Sequence, residues 1–171
     1  MPSSTKPNTV PTKKQASQIQ LLVLDVDGVM TDGRLYFDAN GQEAKVFHVR
    51  DGFGIKQVMK LGIEVAVISG RKSKAVEVRM AELGIKHVKL GQEKKIDALL
   101  AITEFLDVPM ENVACLGDDL PDLPLIEAAG LGIAVADAHP ALLASADWCT
   151  QLVGGKGCVR EVCDILVEAR Q

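Results

Sequence analysis

Leu21-Leu22-Val23-Leu24-Asp25-Val26-Asp27-Gly28-Val29 is the stretch that decides the fold. Four apolar residues are followed by two carboxylates one residue apart and then by a glycine. A short apolar run bounded in this way is typical of a strand that is buried on both faces of a parallel sheet. In open α/β sheets, ligands bind beyond the carboxyl ends of the strands, which is where Asp25 and Asp27 fall. The stretch therefore predicts a functional site at the end of the first strand.

This pair of carboxylates needs a counter-charge. Two carboxylates so close together repel each other unless a cation lies between them or one of them holds a proton. A calcium-binding loop is one alternative for an Asp-x-Asp-Gly sequence. The EF-hand form of that loop requires a glutamate at its twelfth position, where this chain has Tyr36.

The composition bounds the class of protein. The chain has 171 residues, enough for one domain with a full core, and its 47% hydrophobic and 25% charged residues are ordinary for a soluble globular protein. A net charge of -4 and an aromatic content of 4% argue against a nucleic-acid partner. No apolar run approaches the roughly 20 residues that a membrane span requires. We expect residues 1–18, which contain lysines and prolines but no apolar signal segment, to be a tail that is disordered or that a partner subunit orders, and residues 19–171 to form a single domain.

The cysteines and histidines give no sign of a zinc site or of disulfides. The four cysteines form no Cys-x-x-Cys pair and have apolar neighbours, so buried free thiols are expected. The three histidines show no zinc-ligand spacing. Both observations favour a cytoplasmic protein.

Beyond the first strand, the pattern alternates between strands and helices. Asn40-Gly41, between two short β-rich runs, predicts a β-hairpin over residues 34–49. Asp51 is expected to cap a helix that ends at Gly62. Apolar strand-like runs at 63–68, 85–90, 113–116 and 132–135 and around Trp148 then alternate with amphipathic segments. The chain is therefore predicted to be α/β, a Rossmann-like three-layer doubly wound parallel sheet with a β-hairpin inserted after the first strand.

Several of the predicted strands end in polar groups at one edge of this sheet. Asp25 and Asp27 follow the first strand, Ser69 follows the second, and Asp118 and Asp119 follow a later one. Lys94-Lys95 opens a helix beside the same edge, where the helix dipole disfavours a cation, so an anion is expected nearby.

Together these groups suit hydrolysis of a phosphate monoester. Asp25 would attack phosphorus and form an aspartyl-phosphate, while Asp27 would protonate the leaving oxygen and then deprotonate the attacking water. Mg²⁺ held by Asp25, Asp118 and the backbone carbonyl of Asp27 would offset the repulsion between carboxylate and phosphate. The Ser69 hydroxyl and the Lys95 ammonium would stabilise charge on the phosphoryl oxygens. Thr31, Asp119 and Asp122 are expected to surround these catalytic residues and hold them in position.

The motifs DVDGVMT, SGR, a following lysine and GDDLPD resemble the four motifs of the haloacid-dehalogenase-like phosphatases. Longer stretches (DVDGVMTDGRLYFDANGQEAKVFHVRDGFGIK, SGRKS, ADAHP and GGKGCVREV) are similar to one capless subfamily, which removes phosphate from an eight-carbon keto-sugar acid 8-phosphate in lipopolysaccharide sugar synthesis. The resemblance implies a Mg²⁺-dependent cytoplasmic enzyme. It also implies substrate contacts at Asp27, His48, Val49, Arg50, Asp51, Gly52, Lys56, Gly70, Arg71, Arg79 and Lys95.

The resemblance further implies a homotetramer, and the spacing of the motifs agrees with a shared site. The segments between Asp25, Ser69 and Lys95 have no room for a cap domain, and an uncovered site would leave phosphoryl transfer open to water. We therefore expect a neighbouring subunit to complete the active site. Its Gly154-Gly155-Lys156-Gly157 segment is the candidate lid.

Three alternatives remain open at this point. The first is a receiver-like signalling domain, in which the phosphorylated aspartate would follow the third strand; the strand at 85–90 ends without an acid. The second is a non-catalytic oligomerisation module, against which stands the presence of every expected catalytic group. The third is a phosphatase for a related nine-carbon keto-sugar acid 9-phosphate.

Overall fold

Six parallel strands form the central sheet of the structure, a computed structural model that describes residues 8–171. In chain order they are β1 (Leu21–Leu24), β4 (Glu64–Ile68), β5 (His87–Lys89), β6 (Val113–Gly117), β7 (Leu131–Ala134) and β8 (Trp148–Cys149). Two short antiparallel strands, β2 (Tyr36–Phe37) and β3 (Glu43–Ala44), form a separate hairpin after β1. The α-helices within the described range are α1 (Lys13–Gln18), α2 (Val49–Lys60), α3 (Lys74–Leu83), α4 (Lys95–Leu106), α5 (Leu123–Ala128), α6 (Pro140–Ser145) and α7 (Cys158–Glu168).

Strand β1 lies in the middle of the sheet, whose order is β5-β4-β1-β6-β7-β8. All four of its residues are buried. Leu24 is in register with Val67 of β4 and with Leu116 of β6. Because these three strands run parallel and end level, the residues that follow them meet at one edge of the sheet.

The helices form two groups that accompany the sheet. Helix α2 contacts α3 and α7, and α5 contacts α4 and α6. The chain moves outward from β1 through β4 to β5, then returns to β6 and continues outward through β7 to β8. Because crossovers between parallel strands are right-handed in nearly all proteins, the helices of these two halves lie on opposite faces of the sheet. The predicted doubly wound α/β fold with an inserted hairpin and without a cap domain is confirmed.

Helix α2 begins differently from the prediction. It starts at Val49, and the side chain of His48 caps it by accepting a hydrogen bond from the Arg50 amide at 3.2 Å. Asp51, expected to be the cap, lies inside the helix and is buried. Its Oδ1 accepts a hydrogen bond from the backbone amide of Arg160 at 2.8 Å, in the first turn of α7. Asp51 therefore joins α2 to α7 instead of starting α2.

The N-terminal segment differs in part from the expected disordered tail. Residues 1–7 lie outside the described range. Lys13–Gln18 form helix α1, which begins with a capping box between Thr12 and Gln15. The guanidinium of Arg170 donates hydrogen bonds to the backbone oxygens of Ala16 and Ile19, which ties the end of this helix to the end of the chain. For residues 13–18, the prediction of disorder is wrong because a local cap and a tertiary contact stabilise a helix.

The core explains the cysteines. Cys115, Cys158 and Cys163 are buried, Cys149 is half-buried, and all four are free thiols, as predicted. Burial raises the pKa of Cys158 to about 12, with a smaller contribution from Asp51, so this thiol stays protonated at neutral pH. None of the helices within residues 8–171 combines the length and apolar character that crossing a membrane requires.

Candidate active site

Asp25 lies directly beyond the buried strand β1 and is itself buried, with 8% of its surface exposed. Its backbone amide donates to the Leu116 carbonyl at 3.2 Å, which extends the pairing with β6 by one residue. Gly28 follows with φ +88°, and a Cβ atom there would lie 1.9 Å from Oδ2 of Asp118. The glycine is therefore required twice, for its backbone conformation and for the close approach of a second carboxylate.

Thr31 fixes the turn between these residues. Its hydroxyl accepts hydrogen bonds from the amides of Gly28 (3.4 Å) and Gly33 (3.2 Å), and donates to the Val26 carbonyl at 3.4 Å. Thr31 is buried and does not line the cavity described below. It shapes the loop that carries Asp27, which agrees with the supporting place expected for it.

Lys95 is the lysine that reaches the site. It is 5% exposed, whereas the preceding Lys94 lies outside at the start of α4. Its Nζ donates to Oδ1 of Asp25 at 2.8 Å and to Oδ1 of Asp122 at 2.6 Å. These two carboxylates raise the pKa of Lys95 against the opposing effect of burial, so the side chain remains a cation.

The loop after β6 brings three acidic residues that differ in what they do. Asp118 lies against Gly28 and faces Asp25. Asp119 caps the short turn Leu120–Asp122 through its hydrogen bond with the Leu120 amide. Asp122 is buried and accepts from the amide of Asp118 at 3.0 Å and from Lys95. Both oxygens of Asp122 are thus occupied within the protein, which agrees with a supporting place.

Carboxylate oxygens of Asp25, Asp118 and Asp122 lie within 4.8 Å of one another. Burial, followed by the charge of Asp122, raises the pKa of Asp25, although Lys95 opposes the shift. Burial and then the charge of Asp25 raise the pKa of Asp118. One lysine does not neutralise three carboxylates, two of which are buried, so the site favours an additional cation. Hard oxygen donors of this kind suit Mg²⁺, and since Asp122 is already occupied, Asp25 and Asp118 are the carboxylates that fit it.

Asp27, the second carboxylate of the motif, lines the same cavity but pairs with other residues. Its Oδ1 accepts a hydrogen bond from Nζ of Lys45 at 2.5 Å, and its Oδ2 lies 3.9 Å from Nη1 of Arg71. Lys45 and Glu43, on the hairpin, were not among the predicted site residues. Both belong to one alternating strand segment, in which Ala44 and Val46 are exposed. The opposite charges of Glu43 and Lys45, two residues apart on the hairpin, are the sequence feature from which they could have been predicted.

The loop after β4 supplies Ser69, Gly70 and Arg71. Ser69 is buried, and its hydroxyl accepts from the Arg71 amide at 3.4 Å. Nη2 of Arg71 donates to Glu43 at 2.5 Å, whereas its Nη1 is buried without a hydrogen-bond partner within the described chain. Nη2 of the guanidinium is thus bound to the hairpin, whereas Nη1 remains available to donate a hydrogen bond.

These segments enclose two adjacent cavities. The first has a volume of about 320 Å³ and is lined by Asp25, Asp27, Ser69, Gly70, Lys95 and Asp118, among others. The second has about 910 Å³ and lies between the hairpin and α3, where Phe47 and Arg79 contribute to its wall. Arg71 borders both cavities. The smaller cavity is lined by the residues predicted to be catalytic, and the larger cavity lies beside it.

Several residues expected to contact substrate lie elsewhere. Arg79 borders only the larger cavity, where it packs over Gly52 and pairs with Glu82 at 2.8 Å. Asp51 and Gly52 are buried between helices. Within the described chain, none of the following lines the 320 Å³ cavity: His48, Val49, Arg50, Asp51, Gly52 and Lys56.

The glycine-rich segment at 154–157 contacts the Asp25 loop of its own chain. Gly154 is buried against the same chain, where a Cβ atom would lie 1.9 Å from the Gly28 carbonyl oxygen. The amide of Gly155 donates to Val29 at 2.9 Å. The segment therefore packs against the Asp25 loop of its own chain, and its coverage of a neighbour's site stays a prediction. The glycines are required because two backbones approach too closely for side chains.

Comparison with known proteins places this arrangement in a family. The sequence profile of the haloacid dehalogenase-like hydrolases matches residues 91–160. The 3-deoxy-D-manno-octulosonate 8-phosphate phosphatase KdsC of Escherichia coli K12 is 53% identical over 156 residues, which cover 91% of this chain and 83% of the relative.

Solved structures agree with the sequence comparison. The 3-deoxy-D-manno-octulosonate 8-phosphate phosphatase of Yersinia pestis superimposes with a TM-score of 0.91 at 46% identity, covering 92% of this chain and 85% of that one. The corresponding protein of Moraxella catarrhalis, crystallised with a magnesium ion, a phosphate ion and a KDO molecule, gives a TM-score of 0.90 at 40% identity, with 92% and 90% covered.

Proposed function

The chain belongs to the haloacid dehalogenase-like hydrolases, among the 3-deoxy-D-manno-octulosonate 8-phosphate phosphatases, and we propose its reaction on that premise. It is a Mg²⁺-dependent phosphatase that hydrolyses 3-deoxy-D-manno-octulosonate 8-phosphate to 3-deoxy-D-manno-octulosonate and phosphate. The observation that carries this conclusion is the cluster of Asp25, Lys95 and Asp118, which line one cavity together with Ser69.

Asp25 is the nucleophile. One of its carboxylate oxygens is held by Lys95, which leaves the other to bond to phosphorus as the bond to the sugar oxygen breaks. Asp25, Asp118 and the backbone carbonyl of Asp27 would hold Mg²⁺. When bound there, the ion offsets the repulsion between the carboxylates and the phosphate dianion. The product of the first step is an aspartyl-phosphate and the free sugar.

Asp27 moves the protons. It donates one to the sugar oxygen as the phosphorus–oxygen bond breaks, and then accepts one from the water that hydrolyses the aspartyl-phosphate. Its position in the wall of the same cavity as Asp25 and Ser69 supports this role. Lys95 and Ser69 stabilise the negative charge on the phosphoryl oxygens during both steps. Thr31, Asp119 and Asp122 hold the loops that carry these groups.

The size of the two cavities supports a division of the substrate between them. The phosphate occupies the smaller cavity, and the sugar acid extends into the larger one past Gly70 and Arg71 toward Arg79. Nη1 of Arg71 is buried without a hydrogen-bond acceptor in the described chain, and a guanidinium suits the carboxylate of the sugar acid.

The proposal also concerns the oligomeric state of the enzyme. The protein forms a homotetramer in which a neighbouring subunit completes the site. Support comes from the exposed apolar side chains of the hairpin, among them Leu35, Phe37 and Val46, which a single two-stranded ribbon cannot bury. Val49, Arg50 and Lys56, exposed in one chain, then contact the substrate of a neighbour. The enzyme acts in the cytoplasm, in lipopolysaccharide sugar synthesis.

Phosphate release from a panel of esters tests the assignment. The panel contains 3-deoxy-D-manno-octulosonate 8-phosphate, a nine-carbon keto-sugar acid 9-phosphate and glucose 6-phosphate, each with Mg²⁺ and with EDTA. The highest kcat/KM is expected for the eight-carbon ester, with activity lost in EDTA and restored by Mg²⁺. A higher kcat/KM for the nine-carbon ester would change the substrate, and no release from any ester would contradict the enzyme assignment.

A further inference from the structure

Beside the catalytic cavity, the hairpin places a second charged cluster whose members are Glu43, Lys45, Arg71 and Ser73. We propose that Lys45 and Glu43 are positioning residues, which hold the carboxylate of Asp27 in the orientation that proton transfer to the leaving sugar oxygen requires. The inference rests on the proposed phosphatase function and assigns the hairpin a part in it.

Lys45 makes the direct contact. Only 2% of its side chain is exposed, and its Nζ lies 2.5 Å from Oδ1 of Asp27 and 3.0 Å from Oε1 of Glu43. An ammonium so completely removed from water loses its hydration and must recover it from carboxylate partners. Lys45 therefore has two fixed partners and little freedom to leave them.

Glu43 anchors the lysine to the rest of the site. Its Oε1 also accepts from the Ser73 hydroxyl at 2.9 Å, and its Oε2 accepts from Nη2 of Arg71 at 2.5 Å. Ser73 precedes α3, and Arg71 belongs to the loop that contains Ser69. Glu43 thus fixes Lys45 relative to the loop after β4, which borders the catalytic cavity.

Because of these contacts, the two carboxylate oxygens of Asp27 have different partners. Lys45 occupies Oδ1, whereas Oδ2 has Arg71 Nη1 as an ion-pair partner at 3.9 Å, beyond hydrogen-bond distance. Oδ2 is therefore the oxygen left to hand its proton to the sugar oxygen as the phosphorus–oxygen bond breaks, and later to take one from water. Without the lysine, the partly exposed carboxylate of Asp27 is free to rotate, and its proton is no longer oriented toward the sugar oxygen.

A purely structural explanation is weaker. Buried ion pairs add little net stability, because the cost of removing both charges from water offsets their attraction, and apolar residues of similar volume often serve better. Such a cluster, with only Glu43 on a two-residue strand and with exposed apolar neighbours, is better explained by the orientation that it imposes on Asp27.

The test compares Lys45→Met, which keeps the length but not the charge, with Lys45→Arg and with Lys60→Met, an exposed lysine at the end of α2. Each variant is assayed with 3-deoxy-D-manno-octulosonate 8-phosphate and with p-nitrophenyl phosphate, whose leaving group needs little protonation. The value of kcat/KM reports the steps up to departure of the leaving group. We expect Lys45→Met to lose about 10- to 100-fold on the sugar ester, the range that a misplaced catalytic group causes. On the aryl ester it should lose less than about threefold, with recovery in Lys45→Arg and no change in Lys60→Met.

Equal losses on both esters, no loss on either, or a rise in KM with unchanged kcat would overturn the proposal. If Lys45→Met does not fold, as judged by its thermal unfolding, Glu43→Gln carries the same test and should show a smaller loss that is again confined to the sugar ester. Failure of the phosphatase assignment itself is distinguishable, because the wild-type enzyme would then release no phosphate from the sugar ester at all.

Discussion

Asp27 and Asp25 are two residues apart, yet their surroundings give them different tasks. Asp25 is buried between Lys95 and the Asp118 carboxylate, whereas Asp27 lies at the cavity wall with Lys45 on one oxygen. A buried carboxylate at the end of the first strand, which lines the smaller cavity, suits nucleophilic attack on the phosphate. A group at the wall, near the place where the sugar oxygen departs, suits proton transfer.

Asp27→Asn tests this division of labour. The amide cannot deliver a proton, so kcat/KM for 3-deoxy-D-manno-octulosonate 8-phosphate should fall by about 10²- to 10⁴-fold. The loss for p-nitrophenyl phosphate should be less than about tenfold, because a phenolate leaves without protonation. Steady-state kinetics with both esters provides the measurement, and a matching loss on the two would remove Asp27 from proton transfer.

The motif residues were predictable because their places follow from the sheet alone. Asp25, Ser69 and Asp118 follow parallel strands that end level, so one rule brings them together. The contact of Lys45 with Asp27 was not predictable in this way, since it depends on how the hairpin folds back over the loop. Asp51 was misjudged for a related reason: its partner, the Arg160 amide, lies at the far end of the chain.

Helices α2 and α7 are joined by that Asp51 contact, and its charge gives the joint a pH dependence. Burial raises the pKa of Asp51 above its ordinary value of 3.8, although the Arg160 amide lowers it. The folded chain therefore holds the proton more tightly than the unfolded chain. The contribution of Asp51 to stability decreases as the pH rises from the unfolded pKa through the raised one.

Asp51→Asn isolates this effect, because asparagine keeps an acceptor for the Arg160 amide but does not titrate. The free energy of unfolding of the wild type minus that of the variant should fall as the pH rises above the ordinary carboxyl pKa of 3.8, while contributions from other groups cancel. Urea unfolding of both proteins at several pH values gives the difference. A difference that is constant or rises with pH would show that Asp51 is not stabilised in its protonated form.

The contact between the 154–157 segment and the Asp25 loop is a second joint between elements. A Cβ atom on Gly154 would overlap the Gly28 carbonyl oxygen at 1.9 Å and approach that of Thr31 at 3.0 Å. Gly154→Ala should therefore push the two segments apart, lower the free energy of unfolding by about 1–3 kcal/mol as overpacking does, and reduce kcat. Thermal unfolding and kinetics measure both. Wild-type values for both would contradict the close backbone approach.

The arrangement of the whole molecule bears on how the proposed assembly can be examined. Removing residues 154–171 would also remove α7, whose Val159, Val162 and Leu166 belong to the buried core and which packs along α2. Such a truncation would disturb the fold, so it does not report on a shared site. A surface substitution in the hairpin is a cleaner probe.

Leu35 and Leu100 form a matched pair for this purpose, because both are leucines with 52% of their surface exposed. Leu35 precedes the hairpin strand β2, whereas Leu100 lies on α4. Sedimentation should show a tetramer for the wild type and for Leu100→Asp, but smaller species with reduced kcat/KM for Leu35→Asp, since a charge opposes burial at the interface. A fully active wild-type monomer would contradict the shared site while leaving the reaction itself unaffected.

The central claim is that Asp25 attacks phosphorus, and Asp25→Asn tests it most directly. Release of phosphate from 3-deoxy-D-manno-octulosonate 8-phosphate is measured for the wild type and the variant in saturating Mg²⁺, with the fold of each verified by thermal unfolding. We expect a folded variant whose kcat is reduced by about 10⁴-fold or more, as the removal of a nucleophile causes. A folded Asp25→Asn protein that retains a tenth or more of the wild-type kcat would contradict it.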